Sequence, residues 1–171
     1  MTTLPGEFER SFLVRGLDPE GRRQLCQLVS FESFPVNARI LEQGRVYQAV
    51  WVIVTGRCEV VRTCGPGQER QLAVLEPGGI FGEMSFLDEA PHSADVRTLS
   101  AADTIRLTRD AFESLREEHP GTALIISANL VRLLSERLRR MDQLACELAD
   151  DGRHHAEWRD FQHKLYSDWA Y

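Results

Sequence analysis

Residues 79–96 read Gly79-Ile80-Phe81-Gly82-Glu83-Met84-Ser85-Phe86-Leu87-Asp88-Glu89-Ala90-Pro91-His92-Ser93-Ala94-Asp95-Val96. A strand-like run precedes this stretch and another follows it, while Gly82 to Leu87 reads as one short turn of helix. A helix that starts beside glycine leaves backbone N–H groups free to point at an anion. Gly82 lets a ligand approach the backbone closely. Glu83, an acceptor-only group next to those N–H groups, suits a sugar hydroxyl. Together these residues read as a cradle for a phosphate and its attached sugar.

The surroundings of the stretch set the fold class. From Phe31 to Leu107 short apolar or alternating runs recur between turn residues. Strands are predicted at Arg39-Ile40-Leu41, at Ala49 to Val54, at Cys58 to Val61 and at Gln71 to Leu75. Two more follow at Ala94 to Thr98 and at Asp103 to Leu107. Thr55-Gly56 between two apolar runs is a hairpin signal. Many short strands with regular turns predict a barrel or sandwich. Before them, a short helix is predicted over Phe8 to Val14. A second runs from Pro19 to about Val29, with Asp18 as its N-cap. After them, a helix starts at Thr108 or Arg109 and is interrupted at Pro120. A long helix then extends from about Gly121 to Asp150.

That long helix carries two apolar rows. Leu124, Val131, Leu138 and Ala145 recur every seven residues, and Ser127, Leu134, Met141 and Leu148 form the partner set. This a/d pattern predicts a parallel homodimer through Leu124, Val131, Leu134, Leu138 and Met141. Ile126, Leu130 and Leu133 form a second row that faces the domain's own barrel. The tail beyond Gly152 carries Trp158, Phe161, Leu165 and Trp169 at helical spacing, a docking face for the domain itself or for a protein partner.

With these elements in order, the chain resembles the cyclic nucleotide-binding domain family. Phe-Gly-Glu-Met-Ser-Phe-Leu followed by Pro-x-Ser-Ala is similar to its phosphate-binding cassette. Gly44, Trp51-Val52-Ile53 and Thr55-Gly56-Arg57-Cys58-Glu59-Val60 fall where that family has its barrel glycines and strands. The resemblance covers roughly residues 8–145 and implies an α+β fold. Its centre is a β-roll of the double-stranded β-helix or jelly-roll kind over about 31–108. N-terminal helices and the long helix over about 121–150 flank it, and residues 151–171 form a separate aromatic tail. It also implies a ligand, cAMP or cGMP, rather than a cofactor. Gly82, Met84 and Ser85 of the cassette helix would hold the cyclic phosphate, Glu83 the ribose hydroxyl, and Ser93 the phosphate oxygens. Arg137 of the long helix would reach the base, a contact that suits guanine.

One position departs from the family. His92 stands where the family has its phosphate-neutralising arginine. Arginine is always charged and presents a fork that suits phosphate, whereas neutral histidine has one N–H donor and no charge. Losing the charge-assisted bond costs about 2–3 kcal/mol. Either His92 contacts phosphate as an imidazolium, or it is a surface histidine of a degenerate pocket. Asp95 adds a negative charge nearby, on the opposite strand face from Ala94 and Val96.

Composition narrows the function further. The 171 residues are 43% hydrophobic and 27% charged, with a formal net charge of −6. An acidic chain is a poor match for a polyanion, and about 20 residues after the long helix are too few for a helix-turn-helix with its wing, so DNA is not an expected partner. Arg132, Arg137, Arg139 and Arg140 read as a solvated helix face. No run is long enough to span a membrane, and no export signal opens the sequence. Cys26, Cys58, Cys64 and Cys146 form no Cys-x-x-Cys pair, which fits free thiols in the cytoplasm. His154, His155 and His163, with Asp150, Asp151 and Glu157, lack the spacing of a metal site. No nucleophile motif or Walker-type loop is present. The expectation is a non-enzymatic ligand sensor or, if the pocket is degenerate, a dimerisation module without nucleotide.

Overall fold

Five consecutive buried residues, Ala49 to Ile53, show why the central strand reads as an unbroken apolar run. Ala49, Trp51 and Ile53 point into a cluster with Leu41, Cys58, Phe81, Val96 and Ala102. Val50 and Val52, equally buried, alternate to the other face of the strand. A strand covered on both faces carries no polar alternation. This is a computed structural model that describes residues 5–150, with side chains through Glu147. The tail stripe Trp158–Trp169 and the three late histidines lie outside the described residues, as does the side chain of Leu148.

The elements in chain order are α1 (Gly6–Arg10), a single 3-10 turn (Phe12–Val14), α2 (Pro19–Cys26), β1 (Ser30–Phe34), β2 (Arg39–Leu41), β3 (Ala49–Thr55), β4 (Cys58–Gly65), β5 (Gln68–Leu75), β6 (Ile80–Phe81), α3 (Glu83–Asp88), β7 (Asp95–Thr98), β8 (Ala102–Thr108), α4 (Arg109–Glu118) and α5 (Pro120–Asp150). The strands form two four-stranded antiparallel sheets, ordered β1-β8-β3-β6 and β2-β7-β4-β5. The expected α+β roll with flanking helices is present.

Differences from the sequence reading are local. The first helix is divided, with Ser11 between α1 and the 3-10 turn. The second ends at Cys26 rather than Val29, although Asp18 caps it as expected by accepting from the Gly21 N–H at 2.7 Å. β4 and β5 are longer than their apolar runs, because the hairpin continues through polar pairs such as Arg62 with Arg70 and Thr63 with Glu69. The Thr55-Gly56 turn is tight: Gly56 has φ +80°, and a Cβ there would lie 2.2 Å from the Ala101 carbonyl oxygen.

The chain divides into two units, residues 1–130 and 131–171, with the boundary inside α5. In the first unit α5 begins one residue after α4 ends, with His119 alone between them. Ile126 and Leu130 are fully buried. Thr122 donates to Gln24 Oε1 at 2.7 Å, joining α5 to α2. Asn129, buried completely, donates through Nδ2 to the Leu13 and Arg15 carbonyls at 3.1 and 2.7 Å. Leu124 faces outward at 70% exposure. In the second unit Val131, Leu138 and Met141 are exposed along α5, Met141 at 66%, and Leu133 and Leu134 are half-buried.

Cys58 is the buried cysteine, and burial pushes its thiol up to about 11, so it packs as a small apolar side chain. Cys26 is half-buried, and Cys64 and Cys146 are exposed.

Replacing Asn129 with leucine leaves two inward-facing carbonyls without that donor. The Asn129→Leu variant is expected to lose about 1–3 kcal/mol of unfolding free energy in urea titrations, with faster amide exchange in the 3-10 turn.

Candidate functional site

The site is positioned from the sheet outward. β6 pairs with β3, placing Phe81 opposite Trp51, and the two rings stack with centroids 5.6 Å apart and an interplanar angle of 2°. The chain then turns at Gly82, the N-cap of α3, with φ +82°. A Cβ at this residue would lie 2.6 Å from the Ala49 carbonyl oxygen and 2.9 Å from the Trp51 ring. Glycine is required by both the torsion and the space.

α3 is one and a half turns long, and its first N–H groups have no acceptor within the helix. Its underside is fixed. Phe86 is fully buried and meets Phe112 edge-on at 5.3 Å. Arg109 Nη1 donates to the Phe86 carbonyl at 3.0 Å and pairs with Glu113 at 2.7 Å. Ser85 is buried and its hydroxyl donates to the Ala90 carbonyl, so this side chain holds the loop that follows the helix. Asp88 accepts from the Ala90 N–H at 3.0 Å, and Glu89 ends the helix at φ +61°.

Glu83 and His92 are both buried, at 3% and 6% exposure. His92 is therefore not a surface histidine. Its backbone is tied into the 42–48 loop: Gly44 N–H donates to the His92 carbonyl at 2.9 Å, and His92 N–H donates to the Arg45 carbonyl at 2.8 Å. The Tyr47 ring stacks on the imidazole with centroids 5.8 Å apart. Nε2 is buried without a hydrogen-bond partner. Burial pushes the imidazole below its ordinary range, and this outweighs the Tyr47 backbone carbonyl and the Glu83 carboxylate, which both favour the proton. The net shift favours the neutral ring.

Ser93 is exposed beside the half-exposed Met84, with Oγ 4.0 Å from the sulfur. The structure thus brings Gly82, Glu83, Met84, His92 and Ser93 to one place. Arg137, the expected base contact, lies on the part of α5 that belongs to the second unit. Tyr47 was not evident from the sequence, because nothing local to it marks a residue whose partner is 45 positions away.

Asp95 is buried along with Ala94 and Val96, but while Val96 joins the core cluster, Asp95 lines a polar cleft with Arg39 and Arg97. Its carboxylate accepts from Gln43 N–H at 2.7 Å and from Arg97 Nη2 at 2.8 Å, with Arg39 Nε at 3.4 Å. Burial pushes the carboxyl up, and these partners outweigh it, leaving it below the usual carboxylate range. Arg97 reaches on to Glu69 at 2.6 Å. Asp95, Arg39, Arg97 and Glu69 line a polar cleft of about 260 Å³ that none of the cradle residues lines. The Asp95 charge is therefore spent on cations, not on the cradle. Among the described residues no group of His, Cys, Asp and Glu is assembled to hold a metal, and no helix is long and apolar enough to cross a membrane.

Comparison with known proteins agrees with this geometry. A family model described as "cyclic nucleotide-binding domain" matches residues 31–119. The chain is 35% identical over 130 residues to the cyclic AMP receptor protein of Thermus thermophilus, a match that covers 76% of the chain and 58% of that relative. It is similar to the crystal structure of the Thermus thermophilus catabolite activator protein, with a TM-score of 0.72 and 34% identity over 81% of this chain and 63% of that one. It is also similar to the regulatory domain of Toxoplasma gondii PKA in a co-crystal with cAMP, at a TM-score of 0.59 and 26% identity, covering 65% of this chain and 42% of the other. The chain spans less than two thirds of the length of the Thermus relative. By its roll, its cassette and the extent of these matches, the chain belongs to the cyclic nucleotide-binding domain family.

Proposed function

We propose that this domain senses a cyclic purine nucleotide of the cAMP or cGMP kind and reports its presence through α5. The observation that carries the reading is the pairing of two buried polar side chains, Glu83 and His92, beside the glycine-started helix. Burying an ionisable group is costly unless something meets it. His92 Nε2 is buried without a partner, and a ribose phosphate offers an anion for that edge and a further hydroxyl donor for the Glu83 carboxylate. Backbone N–H groups of the Gly82–Ser85 turn and the Ser93 hydroxyl would complete the phosphate contacts. The name of the Thermus relative and the cAMP co-crystal of the Toxoplasma domain support the ligand class. The role is binding and regulation without a chemical step, in the cytoplasm, as a domain over residues 1–150 followed by the tail.

Signalling requires an element whose position differs between free and bound states. In this proposal it is α5, acting within a parallel homodimer. The row Leu124, Val131, Leu134, Leu138 and Met141 has the spacing of a coiled-coil seam, and four of the five are exposed. That same row favours a second reading, in which the domain is a dimerisation module with no nucleotide; the lack of a permanently charged residue at position 92 points the same way.

Calorimetry on the dialysed protein with cAMP and cGMP separates the two readings. Saturable heat is expected, and the Glu83→Gln variant should bind about 10–100-fold more weakly, as befits one lost charge-assisted bond. No heat at high ligand concentration would leave the interaction module as the answer. For the seam, light scattering should report a dimer that Leu138→Asp converts to monomer. A monomeric parent protein would defeat the seam.

A further inference from the structure

The unexplained atom in the cradle is Nε2 of His92, buried and without a partner. The Tyr47 backbone carbonyl accepts a hydrogen bond from the ring. Because Nε2 has no partner, the donor of that bond is Nδ1. A neutral imidazole carries one N–H. With the proton committed to Nδ1, Nε2 presents a lone pair, which repels a phosphate oxygen. Only the imidazolium can donate from both nitrogens at once.

Few charges compete for this ring. From α3 comes the Glu83 carboxylate, which favours the proton. From the 42–48 loop come the stacked Tyr47 phenol ring and Arg45, whose side chain is exposed and reaches Glu42 at 3.9 Å. Among the described residues no arginine hydrogen-bonds to Nε2 of His92, so an anion that enters at this edge meets a ring that has yet to become a cation.

We infer that an anionic ligand binds this site together with one proton, taken from solvent onto Nε2 of His92, so that the domain responds to ligand and pH jointly. The inference rests on the cradle reading above. The step forms one N–H bond from the Nε2 lone pair and breaks no bond in the ligand. Its sign is opposite to that of the free protein. Without ligand, burial keeps the ring short of protons relative to the unfolded chain, so His92 lowers stability as pH falls below about 6.5. With the anion in place the proton is favoured. Between the ring's free and bound pKa values, each rise of one pH unit then weakens binding about tenfold.

The test is calorimetry with cAMP at pH about 6, 7 and 8, each in two buffers of different ionisation enthalpy. The cyclic phosphodiester keeps one charge throughout, so any proton taken up belongs to the protein. Expected are uptake approaching one proton per site and an affinity that falls as pH rises. His92→Arg should bind about 100-fold more tightly at the highest pH, with no uptake and a flat profile. His92→Gln should bind weakly with a flat profile. In the unsubstituted protein, the His92 Cε1–H resonance should report a higher pKa when cAMP is added. Binding by that protein with neither uptake nor pH dependence would overturn the inference and leave the cradle standing. Binding by His92→Arg alone, at every pH, would do the same. No binding by either protein would remove the cradle reading and the inference with it.

Discussion

The backbone at position 82 lies against the Trp51 indole too closely for any side chain to fit between them, and the rest of the site depends on that contact. It decides where α3 starts and hence where the carboxylate at 83 goes. Trp51 is itself held from three sides. Its ring stacks on Phe81, its Nε1 donates to Glu32 at 2.9 Å, and its backbone pairs with β8 opposite Arg106. Arg106 in turn meets Glu32 at 2.8 Å. One aromatic residue thereby joins the sheet, a half-buried ion pair and the opening of the cradle helix. Rigid support of this kind is what a binding group needs if it is to keep its geometry while empty.

Polar residues do much of the positioning inside the roll. Thr98, almost fully buried, accepts from Ala38 N–H at 2.8 Å and donates to the Pro35 carbonyl at 2.6 Å. The Asp95 cluster binds β2, β5 and β7 together through Arg39, Glu69 and Arg97. The buried Thr98 hydroxyl and the Asp95 carboxylate are each met by partners, which is how such groups are tolerated. His92 Nε2 breaks that pattern beside a buried carboxylate, and that is why it stands out.

How much of this was legible in the sequence varied with the kind of signal. β3 was evident because an apolar run of its length has few other uses, and α3 was evident because glycine, a carboxylate and apolar residues came in a recognisable order. β1 was invisible for a physical reason. Phe31 faces solvent at 53% exposure while Glu32 turns inward to meet Trp51 and Arg106, so the hydrophobic pattern is inverted. β6 is two residues long and carries no period at all. The burial of His92 could not be read, because the groups that enclose it, Tyr47 and the Arg45 carbonyl, come from a distant loop. The burial of Asp95 could not be read either, because its ion partners Arg39 and Arg97 and the Gln43 N–H that it accepts from are brought to it by the fold.

The junction at His119 has a mechanical meaning. A single residue between α4 and α5 offers two soft torsions and no spare length. α4 grips the end of α3 through Arg109 and Phe112, while α5 is pinned to the opening segment through Asn129. Tilting the cassette helix therefore cannot be absorbed by slack chain. A displacement of α3 would load the His119 pivot or the two carbonyls, Leu13 and Arg15, that Asn129 holds.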